Sequence, residues 1–346
     1  MLRLPISHDT AEFEVAVDLD KSGILAKDKV KQACHILDKQ GFVILTDLLT
    51  EEESTNGLNL VTEQLADPDR ERSDFASQVD IQYVRRDFCP LPSTKPILSF
   101  SSLVCKRIST ILLEHTGASR PVLEISTLTS YEGSSHQYLH RDPEGIISVL
   151  VAVDTINEQQ GGTLLVPGTH PYLGSDYEHD GLATLYMHHF QKMVNTRIFA
   201  YNFAKLRRIM KTQQPSMSAQ EYRRRMYYSP SLHDDHQPNL FNFLLGRNSY
   251  FDLTNFNPLE LIRIFRHKRA ARKAYKLIQV CPSRGSVIIY RSDMLHAGPD
   301  NCSTRPRYFF NINIAREMVH PVYGEEGYSS HSTLKENPLC LDDLIK

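Results

Sequence analysis

Between about Ala26 and Gln40 the apolar residues Val30, Cys34 and Leu37 recur at helical spacing, and Gly41 supplies a C-terminal stop. The unbroken apolar run Phe42 to Leu45 then reads as a short buried strand. Thr50 with Glu53 three residues on is the signature of a capping box, predicting a second helix toward Leu65. From Glu124 the pattern shortens to β runs at 124–131, 146–154, 162–167, 276–282, 285–290 and 307–316, punctuated by Gly, Pro, Asn and Asp. Such runs, with no regular helices between most of them, predict an antiparallel sandwich or barrel. In the last run Tyr308, Phe310, Ile312 and Ile314 fall on one face, and Arg307, Phe309, Asn311 and Asn313 on the other. The first face suits packing against other elements and the second suits a wet interior.

Between the third and fourth β runs lie about a hundred residues, 175–275, too many for one loop in a compact domain. Phe199, Phe203, Leu206 and Met210 fall at helical spacing there, as do Leu261, Ile262 and Phe265, so the segment reads as an inserted helical subdomain. Charge sets it apart further. The whole chain of 346 residues has a net charge of −2, yet residues 201–275 carry fourteen Lys or Arg against five Asp or Glu. Arg223 to Arg225 and Arg266 to Arg269 admit three readings: a solvated face, a lid that attracts an anionic substrate, or a nucleic-acid or membrane patch. Nothing in the segment resembles a nucleic-acid-binding module, and no nucleic-acid partner is expected.

At 41% hydrophobic and 23% charged, the composition is that of an ordinary soluble protein with a sizeable core. No stretch approaches the apolar length of a membrane span, and the first twenty residues hold no apolar targeting core. The six cysteines (Cys34, Cys89, Cys105, Cys281, Cys302, Cys340) are scattered without a CxxC pair. They read as free thiols in a reducing compartment, so the expected location is the cytoplasm.

Candidate chemistry sits in two segments. His140 and Asp142 flank Arg141, and in an extended backbone residues i and i+2 face the same side. An imidazole and a carboxylate on one side make half of a facial triad, which suits non-haem iron(II) by leaving coordination positions open. Alone the pair is a weak signal. In the second segment a buried strand delivers His296 at its exit, a turn follows, and Arg307 heads the next strand eleven residues later. A planar guanidinium suits bidentate capture of a carboxylate. His136 and His170 read as structural, and Tyr131 and Tyr290 as core aromatics that could reach the pocket.

Together these segments resemble the phytanoyl-CoA dioxygenase-like family of iron(II)/2-oxoglutarate oxygenases, over Glu124 to Ile314 and more loosely over Gly41 to Glu53, the insertion excepted. The resemblance implies a mainly β fold with α: a double-stranded β-helix core of jelly-roll or cupin type, with N-terminal helices and a helical insertion. One oxygenase domain would then comprise a lead-in (1–123), core (124–174 and 276–316), insertion (175–275) and tail (317–346). It further implies His140, Asp142 and His296 as iron ligands and Arg307, in preference to Arg305, on the distal carboxylate of 2-oxoglutarate. Gln137 and Thr163 would make further hydrogen bonds to that co-substrate. Oxygen is the second co-substrate and ascorbate a candidate stimulant. With Asp142 occupying its ligand position, oxygenation is favoured over halogenation.

The expected function is oxidation of a small-molecule metabolite by hydroxylation, desaturation or oxidative cyclisation, in specialised metabolism, with an anionic substrate one option. The alternatives are an acyl-CoA or lipid hydroxylase, a protein or nucleic-acid hydroxylase, and a binding protein with a decayed core. Oligomeric state stays open.

Overall fold

The computed structural model describes residues 6–71, 85–142, 144–170, 181–213, 258–316 and 330–346. Within these helices the side chains of 181–185, 203, 206–213 and 258–265 lie outside the description. Strands β1 (Ile6–Ser7) and β2 (Glu14–Ala16) precede helix α1 (Lys27–Gln40), strand β3 (Phe42–Thr46) and helix α2 (Glu51–Ala66). Strand β4 (Arg86–Pro90) leads into helices α3 (Lys95–Arg107) and α4 (Ser109–Thr116). Then come β5 (Val122–Ser130), β6 (Ile146–Val151) and β7 (Thr163–Leu165). Helices α5 (Gly181–Gln213) and α6 (Pro258–Ala274) interrupt the strands. β8 (Leu277–Val280), β9 (Val287–Arg291), β10 (His296–Ala297) and β11 (Arg307–Ala315) follow. Helices α7 (Ser332–Glu336) and α8 (Leu341–Ile345) end the chain.

Two sheets face each other in a mainly β fold with α, the cupin-like architecture expected from the sequence. The long sheet runs β2-β3-β9-β6-β11-β5-β4 and the short one β1-β8-β7-β10. A backbone bridge between His140 and His296 adds the segment before Asp142 to the free edge of β10. The expected strands are all present, several with shorter ends. β4, α3 and α4 are additional to the expected elements, α3 burying Ile97, Phe100, Val104 and Cys105 at helical spacing.

Strand alternation sorts the long sheet's side chains into two layers. Val43, Val149, Ile289, Phe310, Ile312 and Ile314 point outward into a core shared with α1 to α4 and α8. Phe42, Ile44, Leu150, Ile288 and Phe309 point inward against Leu165, Ile278 and Val280 of the short sheet. Each such fully buried aliphatic or aromatic side chain contributes about 1.5–3 kcal/mol. The alternation predicted for 307–316 is the one observed, with Asn311 and Asn313 lying between the sheets.

The N-terminal elements follow local rules. Thr50 caps α2 through a reciprocal pair: the Glu53 amide donates to Thr50 Oγ1 at 3.2 Å and the Thr50 amide to Glu53 Oε2 at 2.8 Å. Gly41 ends α1 at φ 85°, returning its amide to the Leu37 carbonyl at 2.8 Å. A Cβ there would lie 2.6 Å from His170 Nδ1, so glycine is demanded by space as well as backbone.

The two insertion helices pack on the back of the short sheet. Met187, Phe190, Val194 and Ile198 repeat along one face of α5 and bury against Leu164, Val166, Leu277 and Leu295. Phe199 of the predicted stripe is buried with them. The side chains of Phe203, Leu206, Met210, Leu261, Ile262 and Phe265, and all of Arg223 to Arg225, lie outside the described residues.

Candidate metal centre

The His140 bridge sets the geometry of the site. His140 donates its amide to the His296 carbonyl at 3.0 Å and receives the His296 amide at 2.9 Å. Their rings consequently stand on the same side with centroids 4.4 Å apart. Two residues on, the Asp142 amide donates to the Ser292 carbonyl at 2.9 Å, which returns its carboxylate to the same side. Asp142 Oδ1 lies 3.7 Å from His140 Nε2, and Oδ2 lies 3.3 Å from His296 Nε2. One candidate ligand atom from each residue falls within 4.8 Å of the other two.

Both imidazoles are oriented through their other nitrogen. His140 Nδ1 donates to the Tyr138 carbonyl at 2.7 Å and His296 Nδ1 to the Met294 carbonyl at 3.0 Å. That fixes the tautomer with the Nε2 lone pair directed at the shared point, the arrangement of a metal-bound histidine. Burial and the neighbouring His296 hold the His140 imidazole below its ordinary pKa. Burial would lower His296 as well, but the charge and hydrogen bond of Asp142 raise it. Partial burial works against the Asp142 carboxylate, and the two histidines outweigh it, so its pKa is lowered. Two imidazoles and one carboxylate with open space beside them fit iron(II): Asp142 keeps 41% of its side chain exposed.

Beyond His296 lies a second cluster. Arg307 is 4% exposed; its Nη2 donates to Ser130 Oγ at 2.8 Å and its Nη1 to the carbonyls of Gln160 and Pro299 at 3.1 and 3.2 Å. Among the described residues its Nε has no partner, and burial lowers its pKa to about 10. Arg305, by contrast, has 59% of its side chain exposed and pairs with Asp154 at 2.7 Å. The two arginines of the turn are thus separated into an interior and a surface role.

Sequence reasoning missed Arg86. It is buried on β4, donates to the same Ser130 Oγ at 2.8 Å, and reaches the carbonyls of Ser135, Gly298 and Pro299 at 2.6 Å each through Nη2. Gly298 is the meeting point. A Cβ there would lie 2.6 Å from Arg86 Nη1, 2.6 Å from Gln137 Oε1 and 3.3 Å from Arg307 Nη2. Gln137 Oε1 accepts the Gly298 amide at 2.8 Å. Thr163 is buried on β7, paired with Val280 of β8 and one residue before Leu164, which opposes Ala297. Two guanidiniums thus converge on one hydroxyl, Arg86 with its nitrogens engaged by protein oxygens and Arg307 with an Nε that has no partner among the described residues.

The ligand-bearing strand is held from its outer edge by α5. Asn195 accepts the Leu139 amide at 2.7 Å and donates to the Leu139 carbonyl at 2.9 Å. Seven residues along, Asn202 does the same for His136, at 3.0 and 2.8 Å. These two side-chain amides, two turns apart on one helix face, pair with residues 136–139 as a neighbouring strand would. His136 in turn pairs with Asp300 at 2.9 Å, where Tyr201 and Lys205 of α5 also bond, so its role is structural. His170 donates to the Asp38 carbonyl at 2.9 Å and Tyr131 sits near Asp87 and Tyr308. Tyr290 packs its ring 5.1 Å from that of His296.

A family profile for phytanoyl-CoA dioxygenase (PhyH) matches residues 37–309. The chain belongs to this family. It is a non-haem iron oxygenase that uses 2-oxoglutarate, as family members do. Among solved structures it is similar to the non-heme alpha-ketoglutarate-dependent carbocyclase SnoK from nogalamycin biosynthesis, at 13% identity and a TM-score of 0.47, covering 86% of this chain and 87% of that one. It is also similar to the epimerase SnoN from the same biosynthesis, in complex with Fe3+, alpha ketoglutarate and nogalamycin RO, at 11% identity and a TM-score of 0.49, with 84% of each chain covered. No curated protein matches the chain by sequence. No single helix among the described residues is long and apolar enough to cross a membrane.

Proposed function

We propose that this PhyH-family chain binds iron(II) through His140, Asp142 and His296 and oxidises a small-molecule metabolite beside them. The observation that carries the reading is the fixed tautomer of both histidines, whose Nε2 atoms face one carboxylate. Bound iron with 2-oxoglutarate supplies the oxidising power for breaking an unactivated C–H bond. The chain's own task is orientation. Arg307, with Arg86 beside it, holds the distal carboxylate of the co-substrate, and Gln137 and Thr163 line the same end. Gly298, lacking a Cβ, lets Arg86, Gln137 and Arg307 come together this closely. The exposed flank of Asp142 is the side from which the substrate enters.

Hydroxylation, desaturation and oxidative cyclisation all follow from such a centre, and specialised metabolism is the setting we infer for them. We further propose one cytoplasmic oxygenase domain, its lead-in, core and insertion acting together through the α5 contacts. Asp142 fills its ligand position, so a coordinated halide has no place and oxygenation is the outcome.

Anaerobic titration with iron(II) and then 2-oxoglutarate tests the site, because their joint binding gives a visible charge-transfer band. Aerobic screening of metabolites for coupled succinate release then tests the activity. Failure of the wild-type protein to bind both would overturn the assignment.

A further inference from the structure

On the inner face of the long sheet the side chains turn from apolar to polar toward the triad. Register sets Asn313 of β11 between Glu124 of β5 and Ser148 of β6, and Ser148 opposite Tyr290 of β9. Hydrogen bonds run through this row. Asn313 Nδ2 donates to Glu124 Oε2 at 2.8 Å, and Ser148 Oγ to Asn313 Oδ1 at 2.7 Å. Ser148 and Ser292 share a hydroxyl contact of 2.7 Å, and the Ser292 carbonyl holds the Asp142 amide at 2.9 Å. Glu124 is thereby tied to the same frame as a candidate iron ligand.

Two features of the row call for a donor. Glu124 takes hydrogen bonds from Ser126 and Asn313, both neutral, and among the described residues no basic side chain enters its charge balance. Burial, with the Asp142 charge, pushes its carboxyl up to about 7. One strand position deeper, Asn311 is 3% exposed, donates to Ser126 Oγ at 3.3 Å, and leaves its Oδ1 without a partner among the described residues. Buried acceptors are ordinarily satisfied. A hydroxyl would answer Asn311 but leave the Glu124 charge uncompensated, whereas an anion would meet repulsion from both Glu124 and Asp142. Only a cationic donor satisfies both.

We propose that Glu124 and the Asn311 amide carbonyl form a subsite for an ammonium group, so that the substrate of this chain is an amine. The inference rests on the triad being the iron site. Asn313 and Ser148 fix the carboxylate's direction, and the ammonium then fixes which carbon of the bound molecule faces the metal. Glu124 is a specificity residue in this scheme and takes no part in the oxidation.

The test uses full-length protein loaded anaerobically with manganese(II) and 2-oxoglutarate. Relaxation enhancement of ligand protons by the metal reports binding of three matched probes: cyclohexylamine, cyclohexanol and cyclohexanecarboxylate. Cyclohexylamine should bind about tenfold more tightly than cyclohexanol, with the carboxylate weakest. Glu124→Gln should erase the preference, and Glu124→Asp should reduce and retain it. If the glutamine variant does not fold, the wild-type ranking and the aspartate variant still decide. Equal binding of the three, preference for the carboxylate, or no detectable binding would overturn the subsite. The iron and 2-oxoglutarate charge-transfer band, measured in parallel, separates the outcomes. A protein that forms the band but shows no amine preference defeats this inference alone, and one without the band defeats the iron assignment.

Discussion

His140 and His296 exchange both of their backbone hydrogen bonds, so two candidate ligands 156 residues apart in sequence are opposite members of one β bridge. Their separation is fixed by sheet geometry, and Asp142 completes the set from the same strand. Replacing Asp142 with Ala should abolish coupled succinate formation and weaken iron binding at least a hundredfold while leaving the far-ultraviolet circular dichroism unchanged. Substantial remaining turnover would remove Asp142 from the ligand set.

The two arginines should separate kinetically. Arg307→Ala should raise the KM for 2-oxoglutarate about a hundredfold or more, since it removes a buried charge-assisted contact of about 3 kcal/mol. Arg86→Lys keeps the charge but loses the fork that spans Ser130, Ser135 and Pro299, and should raise the same KM about tenfold. Steady-state kinetics against 2-oxoglutarate decide; an unchanged KM in both would place the co-substrate elsewhere.

Space at Gly298 gives an orthogonal check. Gly298→Ala introduces a methyl 2.6 Å from both Arg86 Nη1 and Gln137 Oε1. It should depress affinity for 2-oxoglutarate with little change in the affinity for iron alone, as isothermal titration would show.

The side-chain pairing from α5 predicts a remote effect on the metal. Asn195→Ala leaves the Leu139 amide unpaired beside His140 and its carbonyl held only by the Gln191 side-chain amide at 3.0 Å, a loss of about 1–3 kcal/mol. Loosening such supporting contacts costs about 10–100-fold in metal affinity, and Asn195→Ala combined with Asn202→Ala should fall in that range. Iron affinity equal to wild type in a folded double variant would show that the strand holds itself.

Stability should carry the signature of Glu124. Its carboxyl rises from an ordinary 4.5 to about 7, so the native state holds the proton more tightly than the unfolded chain. The stabilisation is complete below about 4.5 and is lost as pH rises through about 7. Wild-type Tm should therefore decline relative to Glu124→Gln between pH 5 and 8. Parallel Tm profiles for the two proteins would contradict the raised carboxyl.

What was legible beforehand was local or periodic. The Thr50 and Glu53 cap, the α1 stripe ending at Gly41 and the two faces of β11 each depend on residues a few positions apart. The convergence of His140, Asp142 and His296 and the interior position of Arg307 were legible through motif spacing combined with β context. Arg86 was not, because its partners lie 44 to 213 residues away and a lone arginine on a short strand carries no pattern. Asn195 and Asn202 were hidden for a related reason. An asparagine pair at i and i+7 looks like ordinary helix surface until the backbone it serves is in view. The insertion's charge drew attention to substrate choice, whereas its described part is tied to the ligand strand.

The asparagine pairing also bears on what this protein offers to other extended chains. A strand with an open side offers amides and carbonyls to any extended chain that meets it, and that invitation is how sheets join between molecules. Here the segment ending at His140 has its open side answered by the amides of a helix, which cannot be extended by another strand. Loosening that helix would therefore do more than disturb iron: it would uncover an adhesive edge, and the first symptom in solution would be self-association.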